Sequence, residues 1–295
     1  MLRIRVVTIA AALTLTLGAC GGSPSAGPTG NEPLQVAASF YPLQWVTSQV
    51  AGEHADVTSL TPPGAEPHDL ELGPRQVATV AEADLVVYLD GFQPAVDAAV
   101  AQEAGGSALE VSDTADLVET GGTVDPHFWL DPARLADVAD AVAQRLGEVD
   151  PAHSAAFTER AAEVRARLEA LDAELREGLA GCAGTDLVTS HTAFGYLAAR
   201  YGMEQVGITG LSPESEPSPN ALAEVADFVA DNDVRTVYSE TLVSPEVAKT
   251  LARETGVRTA VLDPLEGLSS ESSGEDYLAV MRANLAVLQE GQPCR

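Results

Sequence analysis

Three of the five histidines in this chain stand in three separate short segments. His68 lies in EPHD (66–69), His127 in DPHFWLDP (125–132) and His191 in TSHT (189–192). Neutral imidazole is the commonest protein ligand for zinc, which takes about four ligands in a tetrahedron. Because about sixty residues separate successive histidines, the spacing is wrong for a zinc finger or a helical metalloprotease motif. The pattern suits one metal held between distant parts of a fold.

The elements that must position these histidines alternate between short apolar runs and amphipathic stretches. Helices are predicted over 41–52, 74–82, 221–232 and 245–255. Strands are predicted over 34–39, 56–60, 85–89 and 108–111, and again over 186–189, 205–208, 236–239 and 258–262. This alternation predicts an α/β fold with two lobes, each built on a mostly parallel sheet of four strands covered by helices.

A different kind of segment separates the two groups of strands. Residues 151–179 contain no glycine or proline between Pro151 and Gly178, and apolar residues recur at helical spacing from Phe157 to Leu175. One helix of about 29 residues would be about 43 Å long, and two shorter helices are the alternative. We therefore predict an amino-terminal lobe over 34–150, a linking helix within 151–181 and a carboxy-terminal lobe over 182–295.

The candidate ligands follow the carboxyl ends of the predicted strands. His68 comes after the second strand, His127 after a loop beyond the fourth, and His191 directly after the strand at 186–189. Asp263 ends the strand at 258–262, and Glu240 ends the strand before it. In open α/β sheets, ligands bind beyond these strand ends. We predict that the three histidines and Asp263 bind one metal in a cleft between the lobes, with Glu240 as an acceptor for an imidazole N–H.

The same segments carry a resemblance to a known family. With LSPESEPSP (211–219), VLDPL (261–265) and residues 277–285, they occur in the order found in the metal-binding lipoproteins of ABC importers for zinc and manganese. The resemblance implies two α/β lobes joined by a long backbone helix, with the metal between them. It implies delivery of the metal to a membrane permease, and no enzymatic activity. Carried over by motif, His68 and His127 are ligands from the first lobe, and His191 and Asp263 from the second.

The ligand types bear on the choice of metal. Manganese-binding relatives commonly have a glutamate where His191 stands, whereas three imidazoles and one carboxylate suit Zn²⁺ in a tetrahedral site. Zn²⁺ is therefore the predicted metal, with Mn²⁺ or Fe²⁺ as the alternative. Many zinc-binding relatives carry a long histidine-rich loop before the second ligand. Here residues 113–125 are short, acidic and free of histidine.

The first twenty residues have the pattern of a bacterial lipoprotein signal. Arg3 and Arg5 precede a short apolar run that is too short to cross a bilayer, and LGAC ends at Cys20. We predict a signal peptide over 1–19, lipidation of Cys20 and a flexible tether over 20–33. Ordinary secretion is the alternative. The protein would be held on the outer face of the cell membrane by its lipid alone.

Composition bounds the remaining possibilities. The formal net charge is −28, which disfavours nucleic acid and anionic lipid as partners. Cys182 and Cys294 would meet in an oxidising compartment, where a disulfide is expected and two free thiols are the alternative. A monomer is expected. The rival functions are a zinc hydrolase, which the absence of a His-Glu-x-x-His motif disfavours, and an adhesin that a metal merely stabilises.

Overall fold

The computed structural model describes residues 32–120 and 122–294. The predicted signal peptide over 1–19, the predicted lipidation site Cys20 and the predicted tether up to residue 31 lie outside the described residues. Within the described part, no helix is both long and apolar enough to cross a membrane.

The first half of the chain forms a parallel sheet of four strands, as the alternating pattern predicts. The strands are β1 (Leu34–Ala38), β2 (Ala55–Ser59), β3 (Leu85–Tyr88) and β4 (Ala108–Glu110). Their order is β2-β1-β3-β4, so the mostly buried β1 and β3 are central. The helices of this part are α1 (Tyr41–Ala51), α2 (Pro74–Glu82), α3 (Pro94–Ala99) and α4 (Ser112–Ala115).

Two elements that the sequence analysis did not assign follow this sheet. A small antiparallel hairpin consists of β5 (Glu119–Thr120) and β6 (Thr123–Val124). The helix α5 (Pro132–Val149) begins after Asp131, whose carboxylate accepts a hydrogen bond from the backbone N–H of Ala133 at 2.9 Å. An aspartate cap followed by proline at the first helical position is a strong start signal.

The long helix α6 covers Ser154–Gly178, which is 25 residues against the 29 predicted. It begins later because residues 151–153 form a turn, in which the Asp150 carboxylate accepts a hydrogen bond from the backbone N–H of Ala152 at 3.1 Å. The helix is unbroken, which excludes the two shorter helices. Its buried face consists of Phe157, Ala161, Val164, Leu168, Leu171 and Leu175.

The second half of the chain forms another parallel sheet of four strands. They are β7 (Asp186–Thr189), β8 (Glu204–Gly207), β9 (Thr236–Ser239) and β10 (Arg258–Val261), in the order β10-β9-β7-β8. The helices of this part are α7 (Gly195–Tyr201), α8 (Pro219–Asp231), α9 (Glu246–Thr255) and α10 (Tyr277–Gly291). Two sheets of four parallel strands and one long helix confirm the predicted fold class.

The long helix contacts both halves. It packs against α1 and α5 from the first half of the chain and against α10 from the second half. The disulfide predicted between Cys182 and Cys294 is present and joins the segment after α6 to the segment after α10. One hydrophobic core includes buried residues of both halves, so the domain boundaries near residues 150 and 182 stay a prediction.

Candidate metal centre

Three imidazoles and one carboxylate meet at a single point. The side chains are those of His68, His127, His191 and Glu266, and their potential ligand atoms all lie within 4.8 Å of one another. Oε1 of Glu266 lies 3.4, 3.2 and 3.1 Å from Nε2 of His68, His127 and His191, respectively. The Nε2 atoms of His127 and His191 are 3.4 Å apart.

Four of the six spacings in the cluster are close to those of a tetrahedral zinc site. Four ligands placed about 2.0–2.1 Å from a zinc ion at tetrahedral angles are about 3.3–3.4 Å from one another. The four distances above, 3.1–3.4 Å, fall close to that value. The remaining two spacings, from His68 to His127 and to His191, lie within 4.8 Å, so a modest rearrangement would let all four side chains reach one zinc ion.

The three histidines come from the loops that the sequence analysis selected. His68 lies between β2 and α2, His127 follows the β5–β6 hairpin, and His191 follows β7. Strands β2 and β7 belong to different sheets, so residues far apart in sequence converge. The rings of His127 and His191 are fully buried, whereas the side chain of His68 is 11% exposed.

A carboxylate holds each of the two buried imidazoles. The backbone N–H and the Nδ1–H of His127 both donate to Oδ1 of Asp125, at 3.0 and 2.8 Å. His191 does the same with Glu240, whose Oε1 accepts from its backbone N–H at 3.0 Å and whose Oε2 accepts from Nδ1–H. A proton held on Nδ1 leaves the Nε2 lone pair for a metal. Glu240 thus lies where the sequence analysis expected it.

The loop of His68 is positioned through its backbone. The buried amide of Gln93 donates from Nε2 to the carbonyl of Pro67 at 3.2 Å and to Oγ1 of Thr61 at 3.0 Å. Oε1 of Glu66 accepts from the backbone N–H of His68 at 3.1 Å. These bonds hold the loop from β2 to α2 at both ends of its turn.

The structure does not bring Asp263 into the cluster; Glu266 occupies the place predicted for it. Oδ1 of Asp263 accepts from the backbone N–H of Leu265 at 2.8 Å, so this side chain closes a local turn. The next two residues turn the chain back, and Leu265 adopts a φ of +59°. Glu266 then reaches the three imidazoles. The matched segment in the sequence stopped at Leu265, and no local pattern separated the two acids.

The comparison with known proteins agrees with this geometry. Residues 36–291 match the family described as the periplasmic component A of a zinc-uptake complex, ZnuA. The chain belongs to the ZnuA family. The resemblance to solute-binding proteins of zinc ABC importers is therefore confirmed.

Relatives within the ZnuA family cover nearly the whole chain. The high-affinity zinc uptake system protein ZnuA of Bacillus subtilis is 34% identical, over 96% of this chain and 95% of its own length. The zinc-binding lipoprotein AdcA of Streptococcus pneumoniae is 35% identical over 96% of this chain, which spans 60% of that longer protein.

Solved structures of ZnuA-like proteins share the fold. The laminin-binding protein Lmb of Streptococcus agalactiae, described as an adhesin with metal-transporting activity, superposes with a TM-score of 0.81 at 36% identity. The Zn(II)-bound ZnuA-like domain of Streptococcus pneumoniae AdcA gives a TM-score of 0.76, also at 36% identity. Each comparison covers 88% of this chain and 99% of the other.

In this ZnuA-family chain, the carboxylates around His127 and His191 favour the protonated form of both imidazoles when no metal is bound. Burial raises the pKa of the Glu266 carboxyl, but its bonds with the three imidazoles outweigh burial and bring the pKa well below the ordinary value. Burial lowers the pKa of His191, but Glu240 and then Glu266 outweigh it and raise that pKa to about 10. The pKa of His127 is likewise raised by Asp125 and Glu266 against the effect of burial. A metal cation would replace these protons.

Proposed function

We propose that this protein captures Zn²⁺ outside the cytoplasm and delivers it to the membrane permease of an ABC importer. One observation carries the proposal: three imidazole nitrogens and one carboxylate oxygen, from loops of both sheets, lie within 4.8 Å of one another, and the carboxylate oxygen is 3.1–3.4 Å from each nitrogen. Two relatives named for zinc uptake and zinc binding support the same cargo.

The donor set favours zinc over manganese. Mn²⁺ prefers oxygen ligands and higher coordination, whereas imidazole nitrogen suits Zn²⁺, and zinc stands above manganese in intrinsic affinity. Replacing Asp263 by Glu266 as the fourth ligand leaves the donor set at three nitrogens and one carboxylate. The preference for zinc therefore survives that change.

The arrangement supports carriage of the metal rather than catalysis. Catalytic zinc sites commonly have three protein ligands and leave one position for water. Here Glu266, which is 1% exposed, would take that fourth position. A metal surrounded by four protein ligands has no position for a nucleophilic water, so we expect no hydrolytic turnover.

The anchor and the partner follow from the sequence and the family. Lipidation of Cys20 would tie the protein to the outer face of the membrane, beside the permease that it serves. A relative named as a zinc-binding lipoprotein supports this location. We further propose that the protein acts as a monomer.

The test is a competition titration of metal-free protein with Zn²⁺ and Mn²⁺, with the bound metal counted. We expect one zinc per chain and little manganese while zinc is present. The variant His127→Ala should weaken zinc binding by orders of magnitude, because it removes a buried ligand. The matched control is His153→Ala, since His153 stacks on His54 with ring centroids 4.0 Å apart and is not in the cluster. Equal zinc affinity in both variants would refute the site.

A further inference from the structure

A cavity of about 440 Å³ ends at the metal cluster. Glu266 lines it together with Gly267 and Leu268, which follow it in sequence. The opposite wall consists of the end of β2 and the first part of the His68 loop, namely Val57, Thr58, Ser59, Thr61, Pro62 and Pro63. Residues of α1 complete it: Tyr41 and Gln44.

The cavity runs from the surface inward. Thr58, Pro62 and Pro63 on its rim are exposed, whereas Thr61 and Glu266 at its inner end are 5% and 1% exposed. His68, the most exposed of the four side chains in the cluster, belongs to the same loop as Pro62 and Pro63. A metal that reached the inner end would meet Glu266 first.

In the described part of the chain, one backbone hydrogen bond joins the two walls beside the rim. The N–H of Gly64 donates to the carbonyl of Leu268 at 3.0 Å. Gly64 has a φ of +78° and is exposed, and its contact is with a loop of the other half of the chain. A single exposed bond of this kind opens at small cost, because water replaces each partner.

The chemistry of the walls suits a cation. No lysine or arginine is among the described residues that line the cavity. The hydroxyl oxygens of Tyr41 and Ser59 are buried, and that of Ser59 makes no hydrogen bond to a described residue. Burial raises the pKa of Tyr41, and the nearby carboxylates of Asp276 and Asp263 raise it further. The Tyr41 hydroxyl therefore stays neutral. Neutral hydroxyl oxygens can replace water around a divalent cation that is losing its hydration shell.

A second cavity, of about 460 Å³, touches the site from another side and has a different lining. It reaches Asp125, behind His127, and its lining residues include Asp131 together with Arg134, Arg176 and Arg200. These guanidinium groups form ion pairs with Asp116, Asp131 and Asp172, so both signs of charge surround this cavity. The two cavities have nearly equal volumes, but guanidinium groups line the second and not the first.

From these contacts we infer that a hydrated divalent cation enters and leaves the cluster through the first cavity. This cavity lies between the end of β2 and the loop that contains Gly267 and Leu268. The inference rests on the proposed function. Separation of the Gly64 and Leu268 backbones would widen the passage, and the Glu266 carboxylate would be the first ligand gained and the last one lost.

The experiment narrows the passage without changing the four ligands. Ser59→Leu adds bulk at a hydroxyl that has no hydrogen bond to break. Ala199→Leu is the matched control, because Ala199 is exposed and lines the cavity of the three arginines. Zinc chloride is mixed with metal-free protein, and its chelator-driven release is followed separately. Trp129, whose ring centroid lies 5.2 Å from that of His127, serves as the fluorescent probe in both.

A narrower passage raises the activation barrier for both the entry and the exit of zinc. It leaves the metal-free and the zinc-bound protein unchanged. We expect Ser59→Leu to slow association and dissociation by the same factor, about fivefold or more, with an unchanged dissociation constant. Ala199→Leu should bind zinc at the wild-type rates. Thr58→Phe, at the exposed rim, provides a second obstruction should Ser59→Leu fold poorly, and should also slow both rates.

The results that would overturn the passage differ from those that would refute the proposed function. Wild-type rates in a folded Ser59→Leu or Thr58→Phe protein would overturn the passage, as would slowing by Ala199→Leu alone. A weaker affinity with an unchanged association rate would also overturn it, because the substitution would then act on the bound state. Absence of zinc binding by the wild-type protein would instead refute the proposed function.

Discussion

Each half of the chain supplies one buried imidazole together with the carboxylate that holds it. Asp125 stands two residues before His127, whereas Glu240 reaches His191 from the end of the neighbouring strand β9. Among the described residues, Glu266 is the acid that bonds with all three histidines of the cluster. Asp125 and Glu240 therefore fix the orientation of the two imidazole rings, while Glu266 supplies the fourth potential ligand atom.

Zinc affinity of variants at Glu266 and Asp263 shows which of the two acids is the fourth ligand. We expect Glu266→Ala to weaken zinc binding by about 10-fold to 100-fold, because water would replace a carboxylate ligand. Asp263→Asn keeps an oxygen that can accept from the Leu265 N–H, so zinc affinity should change less than about threefold. Both affinities are measured by competition with a chromophoric chelator. The opposite ranking would restore Asp263 as the ligand.

The raised pKa values of two histidines in the cluster predict that zinc affinity depends on pH. The pKa of His191 is raised to about 10 and that of His127 is also raised, so metal-free protein at neutral pH holds protons that zinc must displace. Below those pKa values, each proton released lowers the affinity about tenfold per pH unit. Affinity should therefore already fall between pH 8 and pH 6, by more than one proton per zinc. A profile that is flat above pH 7 would contradict this.

At the scale of elements, an ionic cluster joins α6 to α7 and to the start of α5. Asp172 on α6 accepts from Nε and Nη2 of Arg200 at 2.6 and 2.9 Å, and from the Tyr201 hydroxyl at 3.0 Å. Nη1 of Arg200 also donates to Asp131, the residue that caps α5, at 3.2 Å. Because α5 follows the His127 loop and α7 follows the His191 loop, this cluster ties both ligand loops to the long helix.

The cluster should contribute to stability in a defined pH range. Burial raises the pKa of Asp172, but Arg200, Arg176 and Tyr201 outweigh it and lower the pKa to about 2. A lowered carboxyl pKa stabilises the fold above about pH 4, and that contribution is lost as the pH falls from about 4 to 2. We expect Asp172→Asn to lower the free energy of unfolding by about 2 kcal/mol at pH 7.

The comparison for this variant is an exposed ion pair between the same helix, α6, and α10. Arg282 donates to Glu174 from Nε at 2.7 Å, and the two side chains are 46% and 43% exposed. Exposed pairs contribute little, so Glu174→Gln should leave urea unfolding almost unchanged. A loss of stability as large as that of Asp172→Asn would mean that burial is not what distinguishes the two pairs.

At the scale of the whole molecule, several hydrogen bonds cross between the two halves near the metal centre. The indole N–H of Trp129 donates to the carbonyl of Pro264 at 2.8 Å, and the Tyr277 hydroxyl donates to the carbonyl of Trp129 at 2.6 Å. The Tyr196 hydroxyl donates to the carbonyl of Asp125 at 2.9 Å. With α6 packed against both halves, these bonds oppose a wide hinge motion.

We therefore expect metal-free and zinc-bound protein to have nearly the same radius of gyration. Zinc would leave through loop movements and small tilts of the halves, which change the overall dimensions little. Small-angle X-ray scattering on both forms, at the same protein concentration, checks this. A clear compaction on adding zinc would show that the long helix does not limit the motion.

The disulfide should stabilise the fold without taking part in metal binding. It joins residues 112 apart in sequence, and closing a loop of that length is worth about 4–5 kcal/mol in the chain-entropy model. The double variant Cys182→Ala/Cys294→Ala should unfold at lower urea concentration and keep the wild-type zinc affinity under native conditions. A large loss of zinc affinity in the folded variant would show that the bridge also shapes the metal centre.

Local sequence signals determined most of the architecture. Apolar runs such as β3 and β7 lie within one residue of their predicted ends, because buried parallel strands need continuous apolar residues. The absence of breakers after Pro151 predicted α6, and its start was displaced only by a turn that Asp150 stabilises. Strand-end positions then sufficed to select the three histidines, since ligands of parallel sheets bind at the carboxyl ends of strands.

Only the tertiary structure decided which acid joins those histidines. Asp263 and Glu266 lie in one loop, and both are acids that could bind a metal. The Asp263 carboxylate turns back to the Leu265 N–H, and the positive φ of Leu265 directs the chain so that Glu266 faces the cluster. That conformation is costly for leucine and depends on packing from both halves of the chain, such as the bond from Trp129 to Pro264. Sequence periodicity describes one element at a time, so it carries no information about a loop whose shape depends on contacts with the other half.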